Sequence, residues 1–256
     1  MSPRIFSYSI VHYGASYLQY ALRSVSPFVE KSYILHTPHP SHGHSSDLKP
    51  IESRDEIMAS ISADEWGKLT WVDTDGFWNE GPQRDYAVKT LTEAGADIVL
   101  VLDYDEIHYP DVLEKMLKEV WDRNISRNWL CNMIHFWKSF NFACLDDGWP
   151  VRLIDTRHRN GTNYISPTDF GKILHFGYAI KNETMKYKLS LHGHKDELRP
   201  NWYEEKWLAW PPPKDCHPTN GIKQDGTGWW DPVPFDKNLL PDFMRNHPFY
   251  NLEKIE

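Results

Sequence analysis

Apolar and polar positions along the chain change period several times, and each change marks an element. Arg4–Val11 (RIFSYSIV) alternates and reads as a strand. Tyr17–Val25 sets Tyr17, Leu18, Ala21, Leu22 and Val25 on one helical face, and Lys31–Leu35 is a second strand. His36–Pro50 is a polar loop dense in Pro, Ser and His. A helical stretch near Arg54–Ser62, a strand over Lys68–Val72 and a helix from about Gln83 to Ala94 follow. Ala96–Leu102 (ADIVLVL) is almost continuously apolar, as a central parallel strand covered on both faces should be. After Pro110 a helix runs to about Arg123, with Val112, Leu113, Met116, Leu117 and Val120 inward. This alternation predicts an α/β fold, a mostly parallel sheet sandwiched by helices.

The second half has a different texture. Trp129–Ser139, Val151–Asp155 and Lys172–Ile180 read as strands. From Pro211 the chain is rich in Pro, Gly and Trp and loses any period. Trp229, Trp230, Phe235 and Phe243 are too apolar for a disordered linker, so an ordered, irregular, aromatic-rich extension is expected there. Three consecutive blocks result: 1–125, 126–210 and 211–256. No internal repeat is visible.

Composition narrows the classes. The chain has 256 residues, 40% hydrophobic and 25% charged, enough to bury a core without staples. Cys131, Cys144 and Cys216 form no CxxC pair, which argues against a disulfide framework or a cysteine zinc site and for a reducing, cytoplasmic location. No run approaches the ~18 apolar residues of a membrane span, and the opening MSPRIFSYSIVHYG lacks a leader pattern. A net charge of −8 excludes coating nucleic acid by bulk charge and leaves nucleic acid only as an acceptor substrate in a local groove. With 12 Trp and 13 Tyr, the chain carries more aromatic surface than a core needs, pointing to a cleft that stacks bases or sugars. Nothing in the sequence sets the oligomeric state.

Candidate chemistry begins at the end of the apolar strand. Ligands of open α/β sheets bind beyond the carboxyl ends of the strands, where Asp103-Tyr104-Asp105-Glu106 lies. Two aspartates at i and i+2 can direct oxygens toward one hard cation, Mg²⁺ or Mn²⁺, that neutralises a substrate diphosphate. A solvated acidic turn at the start of the next helix would use the same residues.

At this point the chain resembles the GT-A glycosyltransferases, particularly family 2-like enzymes. VHYGASYLQYALRSVSPFVEKSYIL is similar to their opening strand, sugar-nucleotide loop, helix and second strand. GPQRDYAVKTLTEAGADIVLVLDYDE is similar to the stretch leading into their DxD motif. The resemblance implies a nucleotide-sugar donor, a UDP-sugar in the first instance, a bridging Mn²⁺ or Mg²⁺ at Asp103 and Asp105, and inverting transfer to an acceptor hydroxyl. It makes 1–125 the donor-binding part and 126–210 the acceptor and catalytic part. Around the donor it places Val11, His12 and Tyr13, His36 and Thr37, Gln83 and Arg84, and Asp103 and Tyr104. Glu106 supports the cation site by hydrogen bonding. Two departures stand out: Asp85 follows Arg84 where relatives commonly have Asn, and the loop after the second strand is His-rich where many carry an acid. Arg84 bridged to Asp103 or Glu106 is the structural alternative to Arg84 on the diphosphate.

For the second half, Asp146 and Asp147 in a turn beside Trp149, and His175 on a strand, are the candidate acceptor bases. His192 and His194, taken as extended HGH with both rings to one side, are candidates to complete the metal shell, covered by Trp202–Trp210. His39, His42 and His44 read as loop surface, and Lys186 and Lys188 as solvated charge or phosphate contacts. A glycan or a hydroxymethylated DNA base would serve as acceptor. Two other readings stay open: a nucleotidyl- or phosphotransferase, which would want a Gly-rich basic loop where HYGASY stands, and a non-catalytic sugar-binding module.

Overall fold

The computed structural model describes residues 2–40, 44, 46–74, 79–145, 148–158, 161–166, 172–191, 193–221, 228 and 230–256. In chain order the elements are β1 (Ile5–Val11), α1 (Leu18–Val25), β2 (Lys31–His36), α2 (Arg54–Ala59), α3 (Ala63–Trp66), β3 (Leu69–Asp73), α4 (Glu80–Glu93), β4 (Ile98–Val101), β5 (Glu106–Ile107) and α5 (Pro110–Arg123). There follow β6 (Asn128–Leu130), β7 (Met133–Trp137), β8 (Phe142–Leu145), β9 (Val151–Asp155), β10 (Asn163–Ile165), β11 (Ile173–Tyr178), α6 (Asn182–Leu191) and β12 (Val233–Pro234). They divide into two compact units, 1–43, 52–132 and 148–173 against 44–51, 133–147 and 174–256. Each unit is assembled from stretches that interleave along the chain.

The first unit holds a seven-stranded sheet in the order β10-β6-β9-β4-β1-β2-β3. β1 runs parallel to β2 and β4, and β2 to β3, as the strand–helix alternation predicts. β9 enters antiparallel between β4 and β6. All four residues of β4 are buried, and its Val99 and Val101 meet Phe6 and Tyr8 of β1 and Ala87 and Leu91 of α4 in one core. The helices start and stop where local chemistry directs. Ser53 and Glu56 form a reciprocal capping box on α2. Pro110 opens α5 and Asn124 closes it in the left-handed region, with Leu113, Met116, Leu117 and Val120 buried between.

The second unit contains the strands β12-β8-β7-β11 of another sheet, with β8 antiparallel to both β7 and β12. Its core is aromatic: Phe136 stacks on Phe176 at 4.3 Å, and Trp137 meets Trp202 and Trp207 edge-on at 5.9 and 5.4 Å. Residues 230–256 are irregular as expected, with short 3₁₀ turns at Lys237–Leu239 and Asp242–Asn246 and with Leu240, Met244 and Ile255 buried.

Two readings need correction. Trp129–Ser139 is not one strand but β6 and β7, which belong to different sheets. At the break the Cys131 amide donates to Pro150 O and the Ile173 amide to Asn132 O, so hydrogen bonding leaves the ladder there. The segment after Ile180 forms the helix α6, so HGH follows a helix and not an extended run. No helix among the described residues is long and apolar enough to cross a membrane.

Candidate active site

In the first unit, β4, β1 and β2 are parallel neighbours, so the residues that follow them gather at one sheet edge. After β1, the Val11 side chain is fully buried and its carbonyl accepts from the Thr37 amide, so Val11 builds the core and offers a ligand no side chain. Thr37 is also buried, its hydroxyl donating to His39 O at 3.0 Å. His12 Nδ1 donates to Thr37 O at 2.9 Å, and burial holds its ring below the ordinary histidine range, in the neutral form. Tyr13 and Tyr104 are half-buried and meet edge-on at 5.4 Å.

The turn between β1 and α1 depends on glycine. Gly14 has φ +142°, and a Cβ there would sit 2.4 Å from Tyr104 Cδ2. The Gly14 and Ala15 amides both donate to Glu52 Oε2, at 2.6 and 2.9 Å. Glu52 therefore occupies the small anion-binding concavity that successive amides make.

At the end of β2, buried His36 stacks on Trp71 at 5.5 Å and donates through Nδ1 to Asp73 Oδ1 at 3.1 Å. Asp73 also receives Arg54 Nε and Nη2, each at 2.8 Å, and Trp71 Nε1 at 3.0 Å. The Arg54 guanidinium holds the Asp73 carboxyl well below the usual range, helped by Trp71 and His36 against the effect of burial.

The acidic strand end is the most charged part of the unit. Asp103 Oδ2 accepts from Arg152 Nη2 at 2.7 Å, while Oδ1 lies 3.5 Å from Arg84 Nη2. Arg84 also donates from Nε to Glu80 Oε1 at 2.6 Å, and its 3.5 Å contact with Asp103 is the ion pair that was the structural alternative. Gln83 is buried on the inner side of α4. Glu106 is fully buried and receives Arg152 Nε at 2.9 and 2.8 Å and Nη2 at 2.5 Å. Burial pushes the Glu106 carboxyl upward, while Arg152, donating to both of its oxygens, pulls it back toward the ionised form. Burial likewise opposes the Arg152 charge, but Glu106 and Asp103 outweigh it and keep the guanidinium above its ordinary value. Asp105 is 3% exposed. His108, buried two residues after Glu106, is pushed down to about 3 by burial and the Arg152 charge. Its Nε2 has no hydrogen-bond partner among the described residues.

The oxygen donors of Asp103 and Asp105 suit a hard cation, but Asp103 is already met by guanidinium groups. Among the described residues no group of three or more His, Cys, Asp or Glu is arranged to hold an ion. Arg152, Glu52, Asp73 and Arg54 were not singled out from the sequence. A lone arginine between Val151 and Leu153 in an apolar strand was the available signal for the first of them.

The second unit carries the other candidates. His175 on β11 is half-buried, and its Nδ1 lies 2.7 Å from Nδ1 of His135 on β7, a contact in which one ring donates and the other accepts. His135 is buried and stacks on Trp230 at 4.5 Å. His194 caps a 3₁₀ turn at Lys195–Glu197 with φ −103° and ψ 31°, so it is not extended. Its side chain is 63% exposed and faces Glu197 at 3.1 Å. Trp202 and Trp207 pack on Trp137, leaving His194 uncovered. Lys188 Nζ donates to Gly177 O at 3.0 Å, and Lys186 lies over the Tyr203 ring. Asp146, Asp147 and His192 lie outside the described residues.

No family model matches this sequence, and no curated protein matches it either. Among solved structures, residues 1–349 of S. aureus TarS are similar over 52% of this chain and 36% of that chain, at 15% identity and a TM-score of 0.32. A second S. aureus TarS structure is similar over 53% of this chain and 21% of that chain, at 13% identity and a TM-score of 0.30. In both cases the matched part is well under half of the TarS chain.

Proposed function

We propose that this protein transfers a sugar from a nucleoside-diphosphate sugar, a UDP-sugar in the first instance, to an acceptor hydroxyl. The observation that carries this reading is the charge cluster Asp103–Glu106–Arg152, its inner members Glu106 and Arg152 buried, at the end of β4 in a mainly parallel α/β sheet. Ligands of such sheets bind beyond the strand ends, and buried clusters of perturbed ionisable groups mark functional sites. Beside it, the turn after β1 supplies Tyr13 against Tyr104, an aromatic surface suited to a base. Arg84, half-buried next to Asp103, has the planar fork that matches a diphosphate.

Asp103 and Asp105 would hold a Mg²⁺ or Mn²⁺ ion, which when bound neutralises charge on the diphosphate as it leaves. The described side chains provide no third ligand, so phosphate oxygens and water would fill the remaining positions. The turn His12–Ser16 also bears on the phosphotransferase reading. It carries no lysine or arginine, and its Gly14 and Ala15 amides are engaged by Glu52, so it lacks the features of a phosphate-cradling loop.

Isothermal titration with UDP, GDP, ADP and TDP, each with and without Mn²⁺, tests the proposal. One nucleoside diphosphate should bind, more tightly with Mn²⁺, and Asp105→Asn should remove the Mn²⁺ effect. A folded wild type that binds none of them overturns it.

A further inference from the structure

We infer that Arg152 is a positioning residue of the donor site: anchored by Glu106, its guanidinium fixes the carboxylate of Asp103. The inference rests on the sugar-nucleotide reading above. The topology makes the contact possible. β9 runs antiparallel to β4, with Leu153 opposite Leu100, so the first residues of β9 lie where β4 ends and the acidic segment begins. An antiparallel neighbour at that place delivers a cation from a rigid strand, not from a loop.

Every nitrogen of Arg152 is assigned. Nε meets both Glu106 oxygens, Nη2 bridges Glu106 Oε1 and Asp103 Oδ2, and Nη1 donates to Val151 O at 3.0 Å. The Glu106 pairing fixes the plane of the guanidinium, and that plane fixes where Nη2 points. Nη2 then sets the orientation of the Asp103 carboxylate, whose other oxygen lies on the Arg84 side. The Asp103 amide adds a longer contact to Glu106 Oε2 at 3.4 Å, tying backbone and side chain to one anchor.

Stability does not account for this arrangement. A buried ion pair is generally no better than apolar side chains of similar volume, because desolvation offsets most of the attraction. Glu106 is fully buried and Arg152 is 6% exposed, while Asp103 keeps 30% of its side chain exposed. The two inner members support the one that solvent reaches.

The test separates positioning from packing. Arg152→Met alone strands the Glu106 charge, so it is paired with the double variant Glu106→Met/Arg152→Met, which removes both buried charges. Urea unfolding reports the fold, and titration with UDP and Mn²⁺ reports affinity per folded molecule; the nucleoside diphosphate that wild type binds replaces UDP if it is another. The double variant should unfold cooperatively near the wild-type midpoint, yet bind UDP about tenfold more weakly or worse. Arg152→Lys, which keeps the charge but loses the fork, should also fold and lie between the two. Donor KM should rise more than kcat falls, since the residue acts through Asp103 on binding. A folded double variant, or a folded Arg152→Lys, with wild-type affinity overturns the inference alone. A wild type that binds no nucleoside diphosphate overturns it together with the donor reading.

Discussion

Two buried cations in this molecule are handled in opposite ways. In the first unit Arg152 is met by the carboxylates of Glu106 and Asp103, charge against charge. In the second unit Lys138 is also buried, but Nζ donates to neutral oxygens, Asn182 Oδ1 at 3.0 Å and Trp207 O at 2.9 Å, and lies over the Trp207 ring at 4.7 Å. Burial pushes the Lys138 ammonium down to about 8, with the Lys254 charge acting the same way. Its backbone joins the Tyr178 carbonyl and the Ile255 amide, so Lys138 is a fastening for the ends of β7 and β11 and the C-terminal segment. A cation with ionic partners orients a group that a ligand can use. A cation with neutral partners ties backbone together. Each should fail in its own way.

The largest failure should come from Arg152→Met, which leaves Glu106 buried and unpaired; a loss of about 3–5 kcal/mol is expected from urea unfolding. Lys138→Met leaves only neutral groups unmatched and should cost less in the same assay, about 1–2 kcal/mol. A Lys138 variant as damaging as the Arg152 variant would break the contrast.

The first region should also be the one that acid attacks. His108 has a folded pKa near 3 against about 6.5 unfolded, so its contribution is complete above pH 6.5 and is lost as pH falls toward 3. Up to about 5 kcal/mol of acid sensitivity should disappear in His108→Phe, read as the wild-type-minus-variant difference across that window. Gly14→Ala should cost about 1–3 kcal/mol through its φ of +142° and the contact with Tyr104, and it should weaken nucleotide binding in the same titration.

A second pH effect lies on the alkaline side, in the second region. With Lys138 near 8 folded and about 10.5 unfolded, the unfolded chain binds the extra proton between these values. Stability should therefore rise with pH from 8 to 10.5 in wild type relative to Lys138→Met. A difference that is flat or falls over that range removes the lysine from the account.

The sequence made β4 and α5 plain because one is a continuous apolar run and the other a clean helical stripe. It concealed α6, whose Met185, Tyr187, Leu189 and Leu191 alternate like a strand although the segment is helical. It also merged β6 with β7, since alternation reports which positions are buried but not which sheet each half joins. In the candidate site, Asp103 and Asp105 stood out from their place after the most apolar strand. Their partner Arg152 stands 49 residues away, and Glu52 stands 38 residues from Gly14. A single sequence has no local mark for contacts of that separation.

The position of β9 in the sheet has a consequence for synthesis. β1 to β4 emerge from the ribosome in an order that lets them pair as they appear, but β4 acquires its other neighbour only when Val151–Asp155 has been made. β6 is made earlier still and has no place in the sheet until β9 or β10 arrives. A nascent chain halted before residue 151 thus presents the open edge of its most apolar strand to any passing chain. Until β9 is made, β4 lacks the partner on that edge that the finished sheet gives it.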